Sequence, residues 1–465
     1  MNKESACKGK FAIPDSLVII VAVMLFAAVL TYLIPAGEYI RTTNEAGQTV
    51  VDPGSFRYLE PSPVNPLFVL NYIVDGLNNA RNIIWVLLCS GGGLGIVLST
   101  GLFQGLASTM SQKASGKEWV VISLVSALFA VLCVPVNLNT FIPLAPLGLL
   151  IATSMGMDAI VGVSIILLGG AVGFSCGAMN LSNTGTAQQV AELTVFSGMG
   201  YRLICMIPFY AATVLYIIRY AYKVKADPAK SYMYGVDTSN VVQFDLAKAP
   251  RLEKKHILPG VITGACLLFM ILKGIKGELT NPLAASIFMY MGLLTGISFR
   301  MNPNEICRTF MKGVKSMCST AMMIGFAYVI SLILTQGNIL DTIVHFLAGL
   351  LVQVPKMAQA PLMFFAHIVI NLFVTSGSGQ AATTMPIFVP VADLVGMSRQ
   401  TAVLAFNFGD GFCNFILPHA AATMGFVGAL GIPFGKWFRY AIRLFAIWCA
   451  IGSILLMAAT AMNYT

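Results

Sequence analysis

"GGAVGFSCGAMNLSNTGT", residues 169–186, lies inside an apolar run that extends from Asp158 to Phe196. As one helix that run would be about 60 Å long, near twice the thickness of a bilayer's hydrocarbon core. It has to break. Five glycines (Gly169, Gly170, Gly173, Gly177, Gly185) together with Asn180, Ser182, Asn183 and Thr184 place the break here, as an unwound segment whose backbone groups need new partners. A second stretch of the same kind, "FNFGDGFCNFILPHAAATMG" (406–425), sets Asp410 between two glycines and adds Asn407, Asn414, Pro418 and His419. A carboxylate at bilayer depth costs about 3 kcal/mol on insertion scales and normally faces a cavity or a partner. Asp410 is therefore expected near the midplane, beside unwound backbone.

Composition agrees with a chain whose main solvent is lipid. The 465 residues are 57% hydrophobic and 10% charged, and mean hydropathy is +0.80, far outside soluble globular usage. The formal charge of +9 resides in short clusters beside apolar runs, where lipid headgroups and topology explain it, and no basic groove points to nucleic acid. Ten cysteines are scattered without a C-x-x-C pair, and His256, His345, His367 and His419 lack metal-ligand spacing. With no Walker or G-x-G-x-x-G element and no nucleophile–base constellation, neither an ATPase nor another enzyme is expected; an ion channel is the different-class alternative, with no charged rings or repeated filter sequence to favour it.

Apolar runs of spanning length fall near 16–36, 82–110, 158–196, 201–222, 257–275, 281–299, 316–336, 399–430 and 440–461, about nine in all. The first, with no A-x-A cleavage site, reads as an uncleaved helix. Charges orient the runs. Lys3, Lys8 and Lys10 precede the first, whereas the loop 37–63 carries Glu38, Glu45, Asp52 and Glu60 against Arg41 and Arg57. By the positive-inside rule the N-terminus is inside. Lys113, Lys117, the stretch 223–255, Arg300, Arg308, Lys312, Lys315, Lys436, Arg439 and Arg443 mark the inner face again, and the tail "AMNYT" ends outside. No Arg or Lys reads as lying at depth; Arg81 and Arg399 fall at span ends. Asp393 and Glu192 are further ion or proton candidates.

The two halves resemble each other. "IVLSTGLFQG" (96–105) matches "LILTQGNILD" (332–341), 153–174 matches 393–412 with a two-residue gap, and "VFSGMGYR" (195–202) matches "IPFGKWFR" (432–439). Common order and spacing predict a repeat, and the charge assignment turns the second copy over, a transporter feature. Apolar arms at 118–135 and 141–156 meet at "VPVNLNT" (134–140), and arms at 357–374 and 382–396 meet at "VTSGSGQAATT" (374–384). Neither tip carries charge, which predicts re-entrant hairpins. The expected layout is an all-α polytopic membrane protein with two inverted repeats, two hairpins and two broken helices. Its segments are 1–62 (first helix and outer loop), 63–222 (repeat 1, hairpin 118–156, broken helix 158–196), 223–256 (cytoplasmic linker), 257–300 (two connecting helices) and 301–465 (repeat 2, hairpin 357–396, broken helix 399–430). Helix ends converging at midplane present amides to a carboxylate and carbonyls to a cation, and Asp410 adds a negative charge. The small-residue run "SGGGLG" (90–95) fits helix packing within one subunit as well as a homodimer contact.

"IPAGEY" (34–39), "FSGMGYR" (196–202), "SGSGQAATTMPIFVPVADLVGMSRQTAVLAFNFGDGF" (376–412) and "FGKW" (434–437) resemble the YfcC family of bacterial permeases over almost the whole chain. That family groups with C4-dicarboxylate anaerobic carrier and aminobenzoyl-glutamate transporter relatives in the ion-transporter superfamily. The resemblance implies inverted repeats, an elevator-type motion, residence in the bacterial inner membrane, and amino-acid or carboxylate substrates, with arginine/ornithine exchangers among the relatives. Carried over residue by residue, it implies a site from Asn137, Asn139 and Thr140 and from Ser376, Gly377, Ser378 and Gln380 at the hairpin tips. Asn180, Ser182, Asn183, Thr184, Asp410 and Asn414 come from the broken helices. A coupling ion, Na+ or H+, is implied near Asn139, Gly173, Ser378 and Gly409; no other cofactor is expected. Two departures stand out: Pro418-His419-Ala420 replaces a Pro-Thr-Ser-like step, and Asn180-Leu181 replaces Asn-Pro. His419 is thereby expected to face the site, as a titrating imidazole or as a neutral ring satisfied by carbonyls.

Overall fold

Polar residues placed just ahead of the apolar runs start the helices. Asp158 accepts from the Val161 amide at 3.0 Å, Asn302 from Glu305 at 2.9 Å, Ser376 from Gly379 at 3.3 Å and Ser398 from Thr401 at 3.2 Å, each capping an orphan N–H. The computed structural model describes residues 16–43, 49–51, 54–113, 116–236 and 252–465. Lys3, Cys7, Lys8, Lys10, Glu45, Asp52, Lys248 and Arg251, and with them part of the charge pattern used for orientation, lie outside the described residues.

The chain runs α1 (Ser16–Leu33), a 3-10 segment Pro66–Tyr72 continuous with α2 (Ile73–Ser99), α3 (Leu102–Lys113), α4 (Glu118–Leu132), α5 (Ala145–Ser154), α6 (Ala159–Cys176), α7 (Thr186–Val190) and α8 (Met199–Ala226). After it come α9 (Ile257–Ile275), α10 (Asn281–Ser298), α11 (Pro303–Gln336), α12 (Leu340–Leu351), α13 (Lys356–Asn371), α14 (Gly377–Leu394), α15 (Arg399–Cys413), α16 (Ala421–Ala429) and α17 (Phe434–Ala461). Six segments among the described residues are long and apolar enough to cross a membrane: Pro66–Ser99, Ala159–Val190 counted through its interruption, Met199–Ala226, Lys254–Ile275, Pro303–Gln336 and Phe434–Ala461. They answer to six of the nine expected spans. The other three are the shorter helices α1 and α10, of 18 residues each, and the run 399–430, which splits into α15 and α16. The expected span 82–110 is also displaced: it begins earlier, in α2, and is cut at Gly101, whose φ of +80° suits only a residue without a Cβ. The linker begins at Asp227 rather than 223, because α8 carries through Ala226.

One series of elements occurs twice. A 34-residue segment (Pro66–Ser99), a 12-residue helix (α3), the pair α4–α5, the broken pair α6–α7 and a 28-residue helix (α8) are followed in the same order by α11 (34 residues), α12 (12), α13–α14, α15–α16 and α17 (28). Residues 96–105 span the α2–α3 joint and 332–341 the α11–α12 joint, while 195–202 and 432–439 both open the 28-residue helix.

Close backbone contact holds the central helices together. A Cβ on Gly313 would lie 2.3 Å from the Gly91 carbonyl oxygen, and one on Gly93 only 2.1 Å from that of Phe288. The "SGGGLG" run is thus occupied by α10 and α11 of its own chain. Gly169, Gly170 and Gly173, expected in the unwound segment, are helical; a Cβ on Gly173 would lie 1.9 Å from the Ala130 oxygen of α4. They serve packing, so the interruption shrinks to the residues after Gly177, whose φ is +61°. Outside the membrane segments, "IPAGEY" docks on α12. Asp341 accepts from the Tyr39 amide at 3.1 Å and from both Arg41 terminal nitrogens at 2.7 and 2.5 Å. Burial, then the Asp341 charge, pushes the Tyr39 hydroxyl up to about 12, and that hydroxyl meets His345 Nδ1 at 2.7 Å.

Candidate functional site

The hairpin arms are short. At about 1.5 Å per residue, α4 and α5 reach roughly 22 and 15 Å, less than the hydrocarbon thickness. The chain turns between α4 and α5 at 133–137 and enters a 3-10 segment, Leu138–Leu144. Between α13 and α14 it turns at 372–376; the expected tip 374–384 is shorter than predicted because Ser376 caps α14 and residues from Gly377 on are helical.

Each tip meets a broken helix. Asn137 donates Nδ2 to Ser182 Oγ at 3.0 Å and accepts from Asn180 Nδ2 at 3.0 Å, while Asn180 Oδ1 accepts from the Asn183 amide at 3.1 Å and starts the π-turn Leu181–Gly185. In the second break, the Asp410 carbonyl freed at the end of α15 accepts from Asn371 Nδ2 at 2.9 Å and from Asn414 Nδ2 at 2.8 Å, and Thr423 bonds the Asn414 carbonyl at 2.5 Å. Amide side chains thus take over the backbone groups that the breaks release.

Between the tips lies a cavity of about 310 Å³. Asn137, Asn139, Thr140, Ser182, Asn183, Ser376, Gly377, Ser378 and Asn414 line it, with Asn79, Asn82, Asn281, Tyr328 and Thr375, which the sequence reading missed. The wall mixes these polar groups with Ile83, Val86, Leu138, Phe174 and Phe415 and, among the described residues, carries no ionisable group other than the Tyr328 phenol. An adjoining cavity of about 370 Å³ shares Asn137, Thr140, Ser182, Asn281 and Ser378 and adds Asn180. Four expected residues lie outside both linings. Thr184 bonds the Gly177 carbonyl at 2.8 Å, and Gln380 bonds the His367 carbonyl at 3.0 Å. His419 is buried, with both ring nitrogens unpartnered among the described residues.

Asp410 is fully buried one layer behind the wall. Its Oδ2 accepts from Asn183 Nδ2, and its Oδ1 has no protein partner among the described residues. A Cβ on Gly377 would come within 2.9 Å of Asp410 Oδ2, so the first turn of α14 sits directly on the carboxyl. Gly409 is packed on His367, where a Cβ would meet that residue's Cβ at 2.4 Å. Of the four residues named for a coupling ion, Asn139 and Ser378 reach the cavity, while Gly173 and Gly409 are close-packing contacts.

One cation that the sequence reading did not single out, Arg202 near the start of α8, is 0% exposed. It donates to Asn407 Oδ1, to the Gly177 carbonyl and the Tyr464 hydroxyl at 3.3 Å each, and to Gln400 Oε1 at 3.2 Å. Its place at a span end, where an arginine ordinarily reaches water, gave no sign of this; Tyr464 and Gln400 hold it inside instead.

The profile of the C4-dicarboxylate anaerobic carrier family matches residues 13–461. The chain belongs to that family. Among curated relatives of this carrier-family member, the YfcC protein of Escherichia coli (strain K12), provisionally named a basic amino acid antiporter, is 30% identical across 99% of each chain. An uncharacterized protein of Haemophilus influenzae is 24% identical across 97% of each. The Alcanivorax borkumensis YdaH transporter structure aligns over 97% of this chain and 99% of its own, with 17% identity and a TM-score of 0.46. The protein is a multi-pass membrane transporter, as its family and its long apolar helices establish.

Proposed function

We propose that this carrier exchanges a basic amino acid across the bacterial inner membrane, in the manner of an arginine/ornithine antiporter. The observation that carries the reading is the cavity between the two tips with Asp410 immediately behind it. Its volume of about 310 Å³ suits one amino acid. Asparagine amides offer N–H donors to a carboxylate, and Asp410, behind Gly377 and Asn183, favours a cationic end. The doubled element series is read as two inverted repeats, N-terminus inside and C-terminus outside. The tips and broken helices (α4–α7 and α13–α16) move as the transporting unit against α2, α10 and α11. The relative's name as a basic amino acid antiporter supports the same substrate class.

Arg202 favours a second reading, coupled movement of a dicarboxylate or aminoacyl anion driven by Na+ or H+. A buried guanidinium that no carboxylate neutralises directly raises the potential around the site, and the wall itself contains no acidic side chain. Uptake of radiolabelled arginine into proteoliposomes loaded with ornithine, beside uptake of radiolabelled succinate under imposed Na+ and H+ gradients, separates the two. Arginine uptake that depends on internal ornithine supports exchange; succinate uptake that follows an ion gradient, without arginine uptake, overturns it.

A further inference from the structure

A single hydrogen-bonded string connects the two buried ionisable groups, Arg202 and Asp410. Arg202 donates to Asn407 Oδ1; Asn407 Nδ2 donates to Asn183 Oδ1; Asn183 Nδ2 donates to Asp410 Oδ2. All four residues are 1% exposed or less. They come from three parts of the fold: α8, α15 and the π-turn after the first break. The direction of the string is forced from one end, because a guanidinium has donors and no acceptor. Asn407 must turn its oxygen to Arg202, hence its N–H₂ to Asn183, and Asn183 must turn its own N–H₂ to Asp410. Without Arg202 the direction is held only from the Asp410 end, where a flipped Asn183 would set a carbonyl oxygen against a carboxyl oxygen. The string ends under hairpin α13–α14: a Cβ on Gly377 would be 2.9 Å from Asp410 Oδ2 and 3.1 Å from Asn183 Nδ2. There the positive end of α14 faces the carboxyl.

We propose that Arg202 is a positioning residue for the cavity: through the oriented amides of Asn407 and Asn183 it fixes the surface on which the first turn of α14 is seated. Asn183 and Gly377 both line the cavity, so the string connects a residue remote from the cavity to the wall that meets substrate. The seat itself does not depend on which substrate is carried; its consequence for transport rests on the function proposed above.

Asn407→Asp tests this without unpairing the arginine. It leaves Arg202 an acceptor, a charged one, and removes only the N–H given to Asn183. Ala381, one turn into α14 and fully buried, becomes reachable when that turn lifts. Alkylation of the Ala381→Cys thiol by N-ethylmaleimide in membrane vesicles, read peptide by peptide by mass spectrometry, is expected to quicken about tenfold when Asn407→Asp is added, the cost of leaving one buried amide oxygen unsatisfied. The buried native Cys133 remains unlabelled. An unchanged rate overturns the proposal, and so does labelling that rises equally at Cys133, which would report general loosening. No substrate is needed, so failure here and failure of arginine exchange are separate results. If the unaltered carrier does exchange arginine, Asn407→Asp raises the KM about tenfold as well; an unchanged KM beside faster labelling refutes the transmission to the wall.

Discussion

Gly377→Ala is the smallest change that presses on the centre of the site. The added methyl would lie 2.9 Å from Asp410 Oδ2 and 3.1 Å from Asn183 Nδ2, where ordinary contact starts near 3.4 Å. Both neighbours are held. Asn183 is held by Asn407, and the Asp410 backbone by Asn371 and Asn414. The turn of α14 has to lift by about half an ångström, and overpacking a tight site costs about 1–3 kcal/mol. At 1.4 kcal/mol per tenfold that is about a 5- to 150-fold loss of the seated tip. Gly379→Ala is the control, since its methyl meets only Ser376 and Val374 side-chain atoms at 3.2 Å or more. In proteoliposomes, arginine uptake at subsaturating concentration is expected to fall at least about fivefold for Gly377→Ala and to be little changed for Gly379→Ala. Equal uptake by Gly377→Ala and the unaltered carrier would refute the close seating of α14 on the Asp410–Asn183 pair.

Three further expectations concern other parts of the molecule. Asn137→Ala deletes the acceptor and donor that join the first tip to Asn180 and Ser182; about 1–3 kcal/mol should be lost from tip closure, read as a raised KM for arginine. Gly173→Ala places a methyl 1.9 Å from the Ala130 oxygen and should lower the melting temperature and expression, an effect on packing of α4 against α6 that added substrate does not reverse. Asp341→Asn breaks the two-pronged contact to Arg41. Limited proteolysis should then cut the segment after α1 faster.

The breaks, hairpins and repeated order were legible because each depends on local composition: a polar, glycine-bearing interruption in a run too long for one span. The length of the breaks was not. Gly169 and Gly173 look alike in sequence whether they unwind a helix or admit a neighbouring one, and only the approach of α4 shows that they pack. The first-tip residues were found because Asn137, Asn139 and Thr140 stand out between apolar arms. Asn79 and Asn82, three apart in "NNARN" (78–82), left the same kind of signal inside α2 and were passed over as part of an ordinary span start. Arg202 carried no such mark. Its burial depends on Tyr464, 262 residues away, which no local pattern reports. The seat of Asp410 behind Gly377, rather than on the wall, depends equally on contacts between distant segments.

The central claim is that an amino acid occupies the cavity between the tips and exchanges against another, with Asp410 behind the wall favouring its cationic end. Its most direct test is radiolabelled arginine uptake into proteoliposomes loaded with ornithine, with Asp410→Asn beside the unaltered carrier. The account predicts uptake that requires internal ornithine and is abolished by Asp410→Asn. Uptake that proceeds equally into empty vesicles, or that survives Asp410→Asn undiminished, would contradict it.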